Sequence, residues 1–551
     1  MQKIYISFLT LFLPVVIFAQ MPNQAERPTS FQIEEYLPSV TDVVEFPAPN
    51  MNEIAAEDAA IEAESGRYNI ARKLQTNANP QNVGQWHTLN NGSRIWRAEF
   101  YAPEAEALNL YFAEYFIPEG AKLFVYNADK SFWDGAYTSA ENNDHGLFLS
   151  EMVYGDRIVI EYFEPAGVVS RPKIQIDGVG YFYRGVHNHL EESRGGSDPC
   201  QVDVNCPEGD DWQDEKNAVV RLLITQGNQS FLCSAALVNN TSYDCRQLML
   251  TAMHCIEGLS ASDFAQMQVK FNFEVSGCND GFGPSNRNRT GVIKLADSDD
   301  GGGDSGSDFA LFEIEDEISD GWNPYFAGWR RTAAGSGSGV SIHHPSGDSK
   351  KISTYTSGLE SANWGGFATH WRVYWSETET NHGVTEGGSS GSPIFDENHL
   401  IIGTLTGGAS YCSQPNEPDY YGKMSKHWDG NGSIDEEQLA PFLDPINSGD
   451  FQVNGSYRPC DNATSVDEFQ IDFSDVNMYP NPAGDRVTMI FEDNLKIDRV
   501  EIFDALGKKV DTWGVSGAVQ EIPVGQYEQG IYYVTFFSEG GGQLTKKLVK
   551  K

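Results

Sequence analysis

The segment Gly387-Gly388-Ser389-Ser390-Gly391-Ser392-Pro393 sets serine hydroxyls among glycines. A serine nucleophile needs an exposed hydroxyl on a tight turn and backbone N–H groups aimed at a developing oxyanion. Glycines permit both that turn and the close approach of substrate. Ser390 is the candidate nucleophile, with the N–H groups of Gly388 and Ser390 as oxyanion donors. Alone, such a cluster also describes a flexible turn. Two further residues change its weight. His254 ends the apolar run Leu250-Thr251-Ala252-Met253 and is followed at once by Cys255, and Asp308 stands just before Phe309-Ala310-Leu311-Phe312. Singly they read as a histidine beside a disulfide and a turn aspartate. Together they supply a base and its orienter. His254 would take the Ser390 proton during attack on a carbonyl and return it to the leaving amine, while Asp308 fixes the tautomer and stabilises the imidazolium.

The chain order His, Asp, Ser is that of the chymotrypsin arrangement, and neither subtilisin nor the α/β-hydrolases share it. Metal catalysis finds less support. The sequence holds no His-Glu-x-x-His and no pair of Cys-x-x-Cys motifs. His343 and His344 are adjacent and precede Pro345, so they cannot act as paired ligands on one helix face. No metal and no cofactor are expected.

Such a triad needs a rigid frame. From Cys200 to Cys460 the chain shows short apolar segments with glycine-rich joins, at 218–225, 248–252, 309–314 and 400–406. They predict an all-β, barrel-like domain. All eight cysteines fall in this region, which reads as one stapled domain between two cysteine-free ones. The run 297–308 of Asp, Ser and Gly offers carboxylates to calcium, but its spacing departs from the EF-hand loop, and a mobile acidic loop is the preferred reading. Upstream, 20–65 reads as extended or weakly helical. Period-two patterning between 84 and 183, broken by Pro-Glu-Gly and Asn-Asn-Gly, predicts a β-sandwich. Its place is that of a pro-domain, with a carbohydrate- or protein-binding module as the alternative. After Asn462 a final unit of strands is expected at 486–491, 498–503 and 530–537, closing on a basic tail.

With 551 residues and 40% hydrophobic content the chain can build several cores. A net charge of −40 would repel phosphates, which argues against nucleic acid as a partner. Such a field draws in basic peptides or cations, or serves solubility alone. Lys3, the apolar run from Ile4 to Phe18 and Ala19 make a signal peptide, too short to span a membrane, and no later run is long enough to do so. Export also permits disulfides.

From Cys200 to about Pro445 the residues resemble the bacterial lysyl endopeptidases of the chymotrypsin-like class. The likeness rests on Cys200-x5-Cys206-Pro-Glu-Gly, Leu237-Val238-Asn239-Asn240-Thr241, Thr251-Ala252-x-His254-Cys255, Ser307-Asp308-Phe309, Ala327-Gly328-Trp329, Ile342-His343-His344-Pro345 and Val384-Thr385-Glu386-x-Gly388-Ser389-Ser390-Gly391-Ser392-Pro393. It implies a double β-barrel serine endopeptidase cutting after Lys in protein and peptide substrates. It implies the bridges Cys200–Cys412, Cys206–Cys278 and Cys233–Cys255, each worth roughly 2–4 kcal/mol. Cys245 and Cys460 are left over and are expected to pair with each other, two free thiols being the alternative. The resemblance assigns Asp419, in Asp419-Tyr420-Tyr421-Gly422, to the base of the specificity pocket, where a carboxylate pairs with a substrate ammonium. A surface turn is the other reading of Asp419. Trp364 matches an aromatic that packs beside the catalytic histidine, and Thr406 stands where the family has a histidine. That departure leaves Arg or dual Lys/Arg cleavage open, and an inert protease-fold binding protein is the reading from another class.

With the resemblance aligned on Cys200, the family's mature start falls at Gly195, after Arg194. Ser389 has no charge to pair with a new N-terminus as trypsin-type zymogens do, so activation is expected through removal of the pro-domain. The last unit resembles the type IX secretion C-terminal sorting domain in Tyr479-Pro480-Asn481-Pro482, Phe503-Asp504-Ala505-Leu506-Gly507-Lys508, Gly530-Ile531-Tyr532-Tyr533-Val534 and Lys546-Lys547-Leu548-Val549. An adhesion module is its alternative. The resulting division is signal peptide 1–19, propeptide 20–194, protease 195–462 and sorting domain 474–551. The expected protein is a monomer that passes the periplasm, meets the type IX machinery, and ends secreted or attached to the outer surface.

Overall fold

The structure, a computed structural model, describes residues 26–33, 37–186, 196–279, 287–462, 476–491, 497–504, 508–515, 519–538 and 543–551. The signal peptide and the Arg194-Gly195 junction lie outside the described residues. Two compact units result: Met1–Thr241 with Arg246–Tyr457, and Ser242–Cys245 with Arg458–Lys551. No helix among the described residues is long and apolar enough to cross a membrane. The architecture is all-β.

The N-terminal region is a sandwich whose first sheet pairs Val43–Glu45, Arg94–Tyr101, Arg157–Glu164, Lys122–Asn127 and Trp133–Tyr137. The segment read as extended or weakly helical holds the helix Met51–Ser65, started by the Asn50 side chain accepting from Asn52 N–H and ended by Gly66 at φ 69°. Strand Tyr68–Ala78 follows, which the sequence pattern did not reveal. Its Asn69 and Arg72 are buried because both bond Asp58 of the helix. This strand pairs with Lys173–Phe182 of the sandwich on one side and with Gln229–Leu237 of the cysteine-rich region on the other. The second sheet of the sandwich therefore runs on into the next domain without an edge, and Leu223 and Leu232 share its core with Leu110, Tyr111 and Val179.

The cysteine-rich region forms two barrel-like halves. Val219–Gln226, Gln229–Leu237, Leu248–Thr251, Gln268–Lys270, Val292–Asp297 and Ala310–Ile314 build the first. Gly339–His343, Lys351–Tyr355, Glu360–Trp364, Phe367–Val373, Pro393–Asp396, Ile401–Gly408 and Asp419–Lys423 build the second. The C-terminal unit is a small sandwich of a three-stranded and a four-stranded sheet around Val487, Met489, Val500, Ile502, Val534 and Phe536.

Between the N-terminal sandwich and the first barrel half the contact is polar as well as apolar. Lys270 donates to Glu151 at 2.7 Å with both side chains buried, and Asn288 donates to the same carboxylate at 2.6 Å. A buried charge left without its partner is costly, whereas an apolar pair in the same space is nearly neutral. Glu151→Ala should therefore destabilise the chain by about 3–5 kcal/mol, and Glu151→Leu combined with Lys270→Met should recover most of that loss; urea unfolding measures both.

Candidate active site

Strands Leu248–Thr251 and Ala310–Ile314 pair antiparallel with Thr251 opposite Ala310. That register brings the residues just outside each strand together. His254 lies on the turn Met253–Cys255, and its Nδ1 is 2.7 Å from Asp308 Oδ2 while its backbone N–H donates to Oδ1 at 2.9 Å. Asp308 is fully buried. Burial alone would raise its pKa, but the His254 charge and hydrogen bonds hold it below the ordinary value. For His254, burial pulls the pKa down, and the charge of Asp308 and its hydrogen bond outweigh that and leave it raised.

Ser390 sits half-buried on the turn before strand Pro393–Asp396. Gly388 at φ 92° and Gly391 at φ 79° make that turn, and a Cβ on Gly391 would collide with Thr251 Oγ1. The turn is fixed to the first barrel half by Ser234, whose N–H donates to the Ser390 carbonyl at 2.8 Å and whose hydroxyl donates to the Gly388 carbonyl at 3.0 Å. Ser234 adjoins Cys233, and Cys233 is bonded to Cys255 beside His254. One short path thus connects the serine turn to the histidine. The Gly388 and Ser390 N–H groups make no hydrogen bond to any described residue, and none joins His254 Nε2 to Ser390 Oγ. Such catalytic contacts commonly tighten only when substrate arrives.

Ser389 is buried, and its hydroxyl meets His343 Nδ1 at 2.8 Å and the Glu386 N–H at 3.2 Å. His343 Nε2 lies 3.0 Å from Ser353 Oγ, and burial together with the Lys351 charge holds its pKa at about 3. A neutral histidine therefore anchors the residue before Ser390. From the sequence His343 stood only in the motif Ile342-His343-His344-Pro345, without a role, and was set aside as a metal pair with His344, whose Nδ1 lies 2.9 Å from the Asp348 carbonyl. Its signal was the run Val340-Ser341-Ile342-His343, where a polar ring ends a buried strand.

Asp419 is fully buried in the second barrel half, opposite Gly408 in the register of their strands. Oδ2 accepts from Trp375 Nε1 at 2.6 Å, Thr385 Oγ1 at 2.7 Å and Ser410 Oγ at 2.6 Å, and Oδ1 accepts from Ser410 N–H at 3.1 Å. Burial pushes its pKa up, and these neutral donors pull it partly back. A Cβ at Gly408 would collide with Oδ1, so the strand needs glycine opposite that carboxylate.

Trp364 is half-buried, 5.4 Å from the Tyr420 ring and 5.7 Å from the His370 ring. Its contact toward the triad runs through a loop: a Cβ on Gly303 would meet Trp364 at 3.0 Å and Asp308 Cβ at 3.3 Å, and one on Gly302 would meet His254 Cβ at 2.9 Å. Thr406 Oγ1 lies 2.9 Å from His370 Nε2, and its hydroxyl helps hold the Asp308 carboxyl low. His370, fully buried with its pKa held near 4 by burial, was not foreseen from the sequence. The bridges in the structure are Cys200–Cys412, Cys206–Cys278, Cys233–Cys255 and Cys245–Cys460, and no described cysteine is free.

Residues 194–422 match the family model described as lysyl endopeptidase, C-terminal domain, and residues 477–551 match that of the secretion system C-terminal sorting domain. A lysyl endopeptidase of Pseudomonas aeruginosa is 28% identical over 297 residues, which is 50% of this chain and 61% of that protein. Among solved structures, the protease Anisep from Arthrobacter nicotinovorans aligns with 40% of this chain and 98% of its own at 16% identity and a TM-score of 0.29. A Glu endopeptidase aligns with 38% of this chain and 86% of its own at 17% identity and a TM-score of 0.24. The regions whose motifs carried the two resemblances are those the family models match: this chain is similar to the lysyl endopeptidases through its central domain and to secretion sorting domains through its last.

Proposed function

We propose that residues 195–462 form an exported serine endopeptidase that cuts peptide bonds after Lys. Ser390 attacks the scissile carbonyl, His254 carries its proton to the leaving amine, and Asp308 stabilises the imidazolium. The oxyanion is received by the N–H groups of Gly388 and Ser390, and water then hydrolyses the acyl-enzyme. The observation that carries the lysine reading is the environment of Asp419. Its carboxylate is wholly buried among neutral donors, with no cation paired to it among the described residues. A buried anion of that kind is best completed by an ammonium brought in by substrate, and a neutral side chain would leave it unpaired.

Residues 20–194 are proposed as a propeptide that holds the enzyme latent. Support comes from the strand Tyr68–Ala78, which pairs antiparallel with Gln229–Leu237 and sets Tyr68 opposite Leu232, the neighbour of Cys233. A Cβ on Gly387 would come within 3.1 Å of Tyr68 Cβ, three residues before the nucleophile. Arg67 donates to Gln226 and to the Glu257 carbonyl, and its charge lowers the pKa of His254. A chain segment in that place competes with substrate for the strand beside the serine turn. Export through the sorting domain then delivers the protein to the outside of the cell or its outer surface.

The activity is tested on matched Lys, Arg and neutral peptides. Cleavage after Lys should dominate and vanish in Ser390→Ala. In Asp419→Asn kcat/KM for Lys should fall at least about a hundredfold, the scale of breaking a buried charge pair; unchanged Lys cleavage there removes the pocket, and equal Arg cleavage makes the enzyme dual. The pH profile follows from His254, which acts as a base only when neutral. Its ordinary value is 6.5 and it is raised in the fold, so kcat/KM should climb with pH through a midpoint above 6.5. Asp308→Asn removes the raising charge and leaves burial to dominate, so the residual activity should climb at lower pH. Latency is read by organophosphate labelling: Ser390 should react more slowly with 20–194 attached than after a cut at Arg194, and equal rates would exclude the propeptide role.

A further inference from the structure

The run 297–308 looks in the sequence like a mobile acidic loop, yet its centre is folded inward. Asp300, Ser298, Ser307 and Asp308 are all buried. One oxygen of the Asp300 carboxylate accepts the Asp308 N–H at 2.8 Å and the other accepts the Gly303 N–H at 3.0 Å. Asp308 itself has φ 60°. A residue with a Cβ in that left-handed region is held there by its surroundings and not by its own preference. The flanking residues are pinned by other groups. Ser307 N–H donates to Asn431 Oδ1 at 2.9 Å, and Phe309 exchanges backbone bonds with Ser298, accepting at 2.9 Å and donating to Ser298 Oγ at 3.1 Å. The Asp308 N–H is left to Asp300.

We propose that Asp300 is a positioning residue for Asp308, holding its backbone in the left-handed turn that directs both carboxylate oxygens at His254. The inference rests on the triad reading given above. Asp300 makes no hydrogen bond to His254; it acts chiefly through the amide of Asp308, and its charge is the smallest of the effects that raise the His254 pKa. Two carboxylates this close repel, and burial together with the Asp308 charge raises the pKa of Asp300. The arrangement is tolerated because two N–H groups converge on the outer carboxylate, which screens it from the inner one. The glycines complete the device. Gly302 packs on the His254 side chain and Gly303 fits between Trp364 and Asp308, where any side chain would push the loop away.

The test is a double-mutant cycle on the full-length protein after cleavage at Arg194, assayed with a Lys ester. Asp300→Asn keeps size but turns an amide toward an N–H. It should lower kcat roughly 10- to 100-fold, the scale of one charge-assisted hydrogen bond, with KM unchanged. The low-field proton resonance of the His254–Asp308 hydrogen bond should shift or vanish with it. In an Asp308→Asn background the same substitution should cost nothing further, since both act through one group. Asp304→Asn, the exposed acid of the same loop, should leave all readouts unchanged. Asp300→Ser serves as the second variant if the amide cannot be accommodated. The proposal is overturned if Asp300→Asn keeps the parent kcat and resonance, or if it costs the same factor with and without Asp308. If Asp308→Asn itself has no effect on kcat, the triad reading fails, a result distinct from failure of the Asp300 assignment alone.

Discussion

The candidate site depends on the hydrogen bonds from Ser234 to the turn that carries Ser390. His254 and Asp308 come from one barrel half, Ser390 and Asp419 from the other. Each half could be well folded and the site still useless if the two were displaced by an ångström. Ser234 prevents that displacement twice, through the Ser390 and the Gly388 carbonyls, and the Cys233–Cys255 bridge carries the same constraint to His254. Gly391 is part of the same fit, because its missing Cβ is what lets Thr251 approach.

Around that seam the buried polar groups divide by charge. His343, His370 and His427 are enclosed with neutral hydroxyl partners, and burial keeps them uncharged, so they act as fixed donors and acceptors. Asp308 and Asp419 are enclosed as well. Asp308 has the imidazole as its counterpart, and Asp419 has four neutral donors and Gly408 packed against it. One buried carboxylate thus has a titratable partner within the chain, and the other has only neutral donors among the described residues.

The N-terminal sandwich bears on the same seam. It does not sit beside the enzyme domain as a separate bead, for its sheet continues through strand Tyr68–Ala78 into the strand that holds Cys233 and Ser234. A sheet edge is a ready template for another strand. Here that edge is covered from within the chain by Tyr68–Ala78.

What the sequence determined is the inventory and its order. The all-β class was legible because alternating apolar runs are a local property, and the strands expected at 309–314, 486–491 and 530–537 fall within a residue or two of Ala310–Ile314, Arg486–Phe491 and Gly530–Ser538. His254, Asp308 and Ser390 could be named because their chemistry demands those residue types between apolar strands. The strand Tyr68–Ala78 was not legible, since its buried Asn69 and Arg72 break any apolar pattern and are tolerated only because Asp58 of the preceding helix meets them. Asp300, His343 and His370 were equally hidden. A polar residue shows its role through its partner, and those partners lie 8, 46 and 36 residues away. Only the tertiary structure decides such contacts, because it alone converts separation along the chain into distance, and so folds an acidic run that looked mobile inward against the amide of Asp308.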